Sequence, residues 1–308
     1  MSTTTTPVEV AAAILGPRAR RDVPIGPLTT FRVGGAAALV ATVEDTDHLG
    51  LVARAVQESG VASFVLGRGS NVLVADHGYQ GLVVVLGSFA TSITISGTSV
   101  SAGAAVLLPV LARRTAAAAL TGAEWMVGIP GSVGGAVTMN AGGHWSDMAA
   151  VLAGVRVTDL LSGEDREVSP AALALRFRGS AVADHEIVTA ARFELKAGDR
   201  SRSETEIAEI VRWRREHQPG GQNCGSVFVN PVPHQLSAGE VIDGLGLRGL
   251  RIGTAQVSDK HANFIQADEG GSAADVRAVM EAVRSRVLAE RGIALRSEVR
   301  LVGFETAP

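Results

Sequence analysis

Gly128-Ile129-Pro130-Gly131-Ser132-Val133-Gly134-Gly135-Ala136-Val137-Thr138-Met139-Asn140-Ala141-Gly142-Gly143 is the stretch on which the rest of the chain is read. Six of its sixteen residues are glycine, the residue that loses most backbone freedom on ordering and offers no side chain to packing. Neither an amphipathic helix nor an alternating strand is written that way. Flexible linkers are mostly Gly and Ser, whereas Ile, Pro, two Val and Met stand between these glycines. The composition predicts a loop in close approach to another group, with amide N–H groups turned toward it. An anionic cofactor is the expected occupant.

A second Gly-rich turn lies upstream. An apolar strand predicted over Ser63–Leu66 empties into Gly67-Arg68-Gly69-Ser70-Asn71-Val72-Leu73-Val74, the usual geometry of a phosphate cradle. The dinucleotide fingerprint is only partly met, because Val72 stands where the third glycine belongs and no acidic partner follows at the right distance. The Gly-Lys-Ser/Thr signature of a P-loop is absent. A Rossmann domain is therefore disfavoured.

At 308 residues the chain is long enough for roughly two domains of ~150 residues each. Hydrophobic residues make up 46% and charged residues 19%, ordinary values for a globular protein. The net charge of −3 gives no electrostatic case for nucleic acid or an anionic membrane as partner. The 36 glycines cluster without a fixed period, against a repeat architecture. A single cysteine, Cys224, cannot form an internal disulfide and suits a reducing compartment. Met1 to Pro7 is Thr-rich, without the basic and apolar regions of a signal peptide. Apolar stretches such as Leu82–Leu86 and Ala104–Leu111 fall short of the ~20 residues that span a bilayer. A cytoplasmic protein is expected.

Taken in order, a short helix is predicted over Val8–Leu15, followed by a solvated turn at Arg18, Arg20 and Arg21. A strand at Ala38–Val43 leads to a helix capped by Asp45 or Thr46, with Leu49, Val52, Ala53 and Val56 on one face. Strands follow at Gly81–Leu86, Ser92–Ile95 and Ser99–Ala102, then a helix over Pro109–Leu120. Val155–Asp159 and Asp165–Val168 read as a hairpin around Ser162-Gly163, and Ile187–Leu195 as a further strand. Composition shifts near Gly198. Beyond it come a charged helix over Ser201–Gln218, a helix around Ala238–Leu245, and strands at Ile252–Val257 and Asn263–Gln266. A helix over Ala273–Arg291 carries a Val276, Val279, Met280, Val283, Val287 stripe, and Glu298–Val302 is the last strand. The pattern predicts an α+β protein with a boundary near residue 200.

Together these segments resemble one family, the UDP-N-acetylenolpyruvoylglucosamine reductases, also called UDP-N-acetylmuramate dehydrogenases. Gly67–Val74 and Gly128–Asn140 are similar to the family's two flavin loops. More specific are Cys224-Gly225-Ser226-Val227-Phe228, Gly246-Leu247-Arg248-Gly249, Ala255 through Phe264, and Ser297-Glu298-Val299-Arg300-Leu301. The resemblance runs from about Thr29 to Gly303. With Tyr79 its only tyrosine, the chain cannot carry the tyrosine-bearing substrate loop of the longer type and is similar to the shorter second type. The resemblance implies an α+β fold, with a two-part FAD-binding domain of the vanillyl-alcohol-oxidase/PCMH type over residues 1–200. A smaller α+β substrate-binding domain over 201–308 would follow. It further implies non-covalent FAD, NADPH as co-substrate, and no nucleic-acid or membrane partner; a monomer is expected. The implied reaction passes hydride from flavin N5 to C3 of the UDP-GlcNAc enolpyruvyl ether and a proton to C2, giving UDP-N-acetylmuramate for peptidoglycan.

Hydride addition at C3 builds negative charge at C2 and the neighbouring carboxylate, which calls for preorganised donors and a positioned acid. The family's arginine matches Arg178 in Phe177-Arg178-Gly179-Ser180, where it would grip the carboxylate through its rigid fork; by residue type alone it would be a surface arginine. Ser226 matches the proton donor, with Gly225 allowing close approach, against the plain alternative of a serine bonded to its own backbone. Glu298 matches the catalytic glutamate, and beside the substrate carboxylate its pKa is expected to be raised; otherwise it is a strand-edge glutamate facing water. Cys224 has no visible histidine partner and reads as buried and inert. FAD contacts are expected from Gly67, Arg68, Gly69, Ser70, Asn71 and Val72, and from Ile129, Pro130, Gly131, Ser132, Gly134, Gly135 and Asn140. Arg32, Ser101, Gly103 and Ile187 would lie nearby. The UDP-sugar would meet His217, Asn230, Lys260 and His261. No histidines fall at metal-ligand spacing, so no metal site is expected.

Three positions depart from the family pattern. His217 replaces a Lys or Arg expected to face the pyrophosphate, Val229 replaces a common Lys, and Trp145 stands where small residues are preferred. Trp145 either reshapes the flavin's surroundings or simply packs. The two missing cations keep a second hypothesis open, a related flavin reductase acting on another nucleotide-sugar or enolpyruvyl substrate in a specialised pathway. A flavin-binding protein without turnover is a third, disfavoured by the match at Arg178, Ser226 and Glu298.

Overall fold

The computed structural model describes residues 5–233 and 235–304; the Met1–Thr4 part of the Thr-rich lead-in lies outside them. The chain begins with α1 (Pro7–Leu15), β1 (Ala19–Pro24), β2 (Ala36–Val43), α2 (Thr46–Ser59), β3 (Ser63–Val65), β4 (Val72–Val74) and β5 (Tyr79–Leu86). Then come β6 (Ile93–Ser96), β7 (Ser99–Gly103), α3 (Leu108–Ala117), β8 (Leu120–Thr121), α4 (Val133–Met139), β9 (Gly142–Gly143) and β10 (Ser146–Asp147). β11 (Leu152–Asp159), β12 (Asp165–Val168), β13 (Glu186–Glu194), β14 (Lys196–Ala197) and α5 (Arg200–His217) follow. The remainder is α6 (Ala238–Asp243), β15 (Arg251–Ile252), β16 (Ala255–Val257), β17 (Ile265–Ala267), α7 (Ala273–Arg291) and β18 (Arg300–Val302). The class is α+β, as the sequence predicts.

These elements form two compact units. The first takes the chain up to Val23, Ala38–Arg68 and Gln80–Trp213; the second takes Pro24–Ala37, Gly69–Tyr79 and everything from Arg214 on.

The first unit contains two sheets with a core each. One is antiparallel, in the order β12-β11-β13-β7-β6. Its core joins Leu111 of α3, Val137 of α4, Ile207 and Ile210 of α5, and the buried Trp125, Met126 and Phe193. The other sheet has the order β1-β2-β5-β3, with β3 and β5 parallel. Leu82-Val83-Val84 of β5 are wholly buried, as a strand covered on both faces requires. Leu49, Val52 and Val56 of α2 pack there with Leu15 and Leu39. Asp45 starts α2 by accepting from His48 N at 2.6 Å, and Gly60, at φ +65°, ends it.

The second unit is built on α7, whose Val276, Val279, Met280, Val283 and Val287 are buried as predicted, each contributing about 2 kcal/mol. They face α6, the β15-β16-β17 sheet, and Phe31, Val33 and Leu73 from far upstream. β18 pairs in parallel with β4, Leu301 opposite Leu73. The start of α7 is capped twice over. Ser272 Oγ accepts from Ala274 N and Asp275 N. Asp76 accepts from Ser272 Oγ at 2.7 Å, Ala273 N at 2.8 Å and Ala274 N at 2.9 Å.

Four local expectations are corrected. The Gly128–Gly143 stretch contains a helix, α4, because its glycines serve packing: a Cβ on Gly134 would lie 2.9 Å from Ala104 Cβ. The predicted 109–120 helix stops at Ala117 because Ala119 turns left-handed (φ +56°), and Leu120-Thr121 instead pair with Lys196-Ala197. Of the turn expected at Arg18, Arg20 and Arg21, only Arg18 lies in a turn; Arg20 and Arg21 are in strand β1, where Arg21 grips Glu9 through two hydrogen bonds of 2.9 and 2.7 Å. The 252–257 strand is a hairpin, broken at Gly253 (φ +51°).

Two predictions follow from these cores. Asp76→Ala should lower stability by about 1–2 kcal/mol in urea unfolding, as a lost cap does, and Asp76→Asn, which keeps an acceptor, by less. His48 is buried in α2; burial, reinforced by the positive charge of Arg18 and only partly opposed by Asp45 and Glu44, depresses its pKa below the usual 6.5. Above pH ~6.5 the imidazole is neutral folded and unfolded alike. As pH falls below that value the unfolded chain takes up a proton that the folded one resists, and stability is lost. Thermal melts of wild type should fall between pH 7 and 5, and His48→Leu should flatten that slope.

Candidate active site

In the first unit the two Gly-rich stretches meet. A Cβ on Gly67 would lie 2.8 Å from Ser132 Oγ, so the start of the Gly67–Val74 stretch seats against the Gly128–Gly143 one. Gly131 O accepts from Leu108 N, Val133 N donates to Val106 O, and Gly134 N donates to Ala104 O, at 2.9–3.0 Å. The amide of Gly134 is thus spent on anchoring α4. Ser132 is the N-cap residue of α4, yet its hydroxyl caps no amide. Gly135 is exposed, and a Cβ there would meet nothing nearer than Ser132 Oγ at 3.7 Å. A bare, exposed α-carbon at Gly135 beside the uncommitted Ser132 hydroxyl fits a phosphate-bearing cofactor.

The other expected cofactor residues fall into different environments. Pro130, Arg68 and Ser101 are exposed and Ile129 half-buried. Gly103 is required by packing, since a Cβ there would lie 2.1 Å from Ala90 O. The Ile187 side chain is 0% exposed and belongs to the α2 core. In the second unit Gly69 combines a positive φ with close approach, a Cβ there lying 2.6 Å from Leu28 O. Val72 is a buried strand residue, Ser70 is half-buried, and Arg32 holds φ +55° with its N donating to Thr29 Oγ1.

Arg178 sits in a tight turn. Arg176 and Gly179 exchange backbone hydrogen bonds of 2.9 and 3.0 Å, and Arg178 between them is left-handed (φ +57°). Its guanidinium lies 5.3 Å from the Phe177 ring centroid, and Nη1 donates to Gly142 O at 3.1 Å. Asn140, buried and left-handed at the end of α4, braces the same region. Its Nδ2 donates to Arg176 O and Asp147 Oδ2, and its Oδ1 accepts from Ala149 N. Ser180 Oγ donates to Thr138 O at 2.8 Å, closing the link back to α4.

In the second unit Ser226 and Glu298 lie on neighbouring extended segments. Glu298 N donates to Val227 O at 2.8 Å, and Val229 N to Arg296 O at 2.9 Å. On the other side Val227 N donates to Asn263 O. Asn263, 3% exposed, grips Phe228 twice, accepting from its N at 3.0 Å and donating to its O at 2.8 Å. Asn71 clasps the Glu298 segment: Nδ2 donates to Glu298 O at 2.8 Å, and Arg300 N donates to Asn71 O. Gly225 before the serine has a φ of +82°, which favours glycine, and no protein atom lies within 4 Å of a Cβ there. Cys224 is buried, and burial together with the nearby Glu298 charge pushes its thiol pKa far up, which makes it inert as a nucleophile.

The expected substrate residues are also in this unit. Asn230 Oδ1 accepts from Ala238 N at the start of α6. Lys260 Nζ donates to Arg215 O at 2.5 Å, next to the exposed His217. The His261 ring lies tilted against Phe264, centroids 4.6 Å apart, and its Nδ1 accepts from Asn263 N. Burial, helped by the charge of Arg248, lowers its pKa, so it stands neutral with Nε2 as the donor. Val229 is 6% exposed, so its lack of charge leaves no gap on the surface. Trp145 does not pack at all, being 96% exposed.

Sequence reasoning did not assign Asn263 or Asp76. A polar residue inside the apolar run Ala262-Asn263-Phe264 was the available signal for the first; nothing local marks the second, whose partner is almost two hundred residues away.

Residues 217–302 match the C-terminal domain of UDP-N-acetylenolpyruvoylglucosamine reductase, and residues 37–169 match an FAD binding domain. A UDP-N-acetylenolpyruvoylglucosamine reductase of Heliobacterium modesticaldum is 42% identical over 91% of this chain and 89% of its own length. One from Rubrobacter xylanophilus is 38% identical over 94% and 97%. The crystal structure of the Thermus caldophilus enzyme matches with a TM-score of 0.81 at 35% identity, covering 92% of this chain and 99% of that one. With its flavin-binding and C-terminal domains both matched, the chain belongs to the UDP-N-acetylenolpyruvoylglucosamine reductase family and is an FAD-dependent oxidoreductase.

Proposed function

We propose that the protein reduces the enolpyruvyl ether of UDP-N-acetylglucosamine to UDP-N-acetylmuramate with NADPH, in the cytoplasmic phase of peptidoglycan precursor synthesis. The observation that carries this most is the direct backbone hydrogen bond between the Glu298 segment and the Ser226 segment. It joins, within one unit, the two backbone segments that carry the alcohol and the carboxyl.

When bound, the flavin would supply the two-electron hydride chemistry between NADPH and C3. Arg178 holds the substrate carboxylate, where negative charge grows as C3 gains hydride, and its bond to Gly142 O fixes the fork before substrate arrives. Ser226 gives its hydroxyl proton to C2 and regains one from solvent. Glu298, next to that carboxylate, works with a raised pKa as a hydrogen-bond partner of the developing enolate. Gly67, Ser132 and Gly135 hold the cofactor in the first unit. The residues beyond Arg214, with Lys260 held on the Arg215 carbonyl, bind the nucleotide diphosphate.

Ser226→Ala should leave flavin reduction by NADPH intact and slow its reoxidation by the UDP-enolpyruvyl sugar by about 10²–10⁴-fold, read by stopped-flow absorbance. Wild-type NADPH oxidation that does not depend on that sugar would overturn the assignment. Asn263→Ala strips Phe228 of two buried partners and should lower stability by about 2 kcal/mol, while slowing reoxidation more than reduction. Asn263→Asp keeps the acceptor but not the donor, and should recover only part of both.

A further inference from the structure

The hairpin that Arg178 holds carries a side chain for which the fold has no use. β9 and β10 are joined by His144-Trp145, both left-handed at φ +51° and +69°. Two-residue turns of this kind favour Asn-Gly or Gly-Gly, because a bulky side chain is strained at positive φ. Trp145 nevertheless occupies the second position, with its indole 96% exposed. Tryptophan normally earns its place by burying a large surface; here the residue neither suits its backbone nor covers a core.

Its stem is held firmly. Gly142 O accepts from Arg178 Nη1 at 3.1 Å, and Asn140 Nδ2 donates to Asp147 Oδ2 at 3.2 Å, pinning both strands of the hairpin. The His144 ring meets Trp213 edge to face at 5.3 Å, which fixes the tip from the side. Nothing lies within 4 Å of a Cβ on Gly143. A flat apolar ring is thus presented on a braced mount, one hydrogen bond from the guanidinium assigned to the substrate carboxylate. Strain at such a position points to a role outside the fold.

We propose that Trp145 is a ligand-binding residue whose indole stacks on the planar heteroaromatic ring of a nucleotide bound beside Arg178. The ring is either a base of the dinucleotide or the uracil of the sugar nucleotide; both offer the same chemistry to an indole face. The inference rests on the reductase assignment, which supplies the role of Arg178. The indole stands on a turn flanked by Gly143 and Ser146, with the exposed Trp213 reaching it only through His144. A protein-docking site needs a contiguous apolar patch of several hundred Å², so a small planar ligand fits better.

The test uses the full-length flavoprotein and its Trp145→Ala, Trp145→Gly and Trp145→Tyr variants. Binding of NADP⁺ and, separately, of UDP is measured by calorimetry and by quenching of tryptophan fluorescence. One of the two ligands should bind about tenfold or more weakly to both Trp145→Ala and Trp145→Gly, with its quenching largely lost, while Trp145→Tyr keeps most of the affinity. The ligand affected identifies the ring. Glycine relieves the left-handed backbone, so equal losses in the Ala and Gly variants trace to the indole and not to strain. Affinities for both ligands within twofold of wild type in every variant overturn the stacking and leave the reductase assignment standing. The same result with a wild-type dimer that Trp145→Ala converts to monomer overturns it in favour of a contact between copies. A wild type that binds neither ligand overturns both.

Discussion

Backbone that leaves a helix or sheet must still satisfy its N–H and C=O groups, and the residues assigned to chemistry here all sit on such backbone. Three asparagines supply the missing partners. Asn140 ties the Arg176–Gly179 turn to the end of α4 and to the β9–β10 hairpin. Asn263 matches the donor and acceptor of Phe228, two residues past Ser226. Asn71 uses its side chain on Glu298 and its own carbonyl on Arg300. An amide side chain carries the same donor and acceptor as a peptide group, so each asparagine stands in for a neighbouring strand. Arg178, Ser226 and Glu298 gain the rigidity of a ladder without being inside one.

The glycines divide by physical cause. At Gly103 and Gly134 a side chain would collide with neighbouring atoms, and the requirement is space. At Gly225 no protein atom stands in the way and the left-handed φ favours glycine. Gly69 needs both. A run rich in glycine therefore does not imply a loop: α4 is helical because Gly134 lets its backbone lie against Ala104, and tertiary packing outweighs the poor helix propensity.

What could be read from the chain beforehand follows the same division. Long periodic segments declared themselves, as the five apolar positions of α7 and the Asp45-capped face of α2 show. So did the family, carried by short characteristic runs such as Gly225-Ser226-Val227-Phe228. Illegible were the contacts made at a distance. The Asp76 cap on α7 depends on residues close to two hundred positions apart, and the end of α3 is decided by pairing with Lys196-Ala197. Neither leaves a local trace in composition or period. Nor did the sequence say that Trp145 would stand clear of the protein, since an aromatic side chain is by default read as packed.

The interleaving of the second unit has a consequence for how the protein is made. Phe31, Val33 and Leu73 leave the ribosome early, yet they belong to a core completed by Val227, Val276 and Val299. At about 5–20 residues per second, those upstream side chains wait on the order of tens of seconds for their partners. The first unit can close as soon as Trp213 has emerged. Synthesis thus imposes an order in which the flavin-binding body forms while two strands of apolar thread stay uncovered, the interval in which a nascent chain is most in need of chaperones.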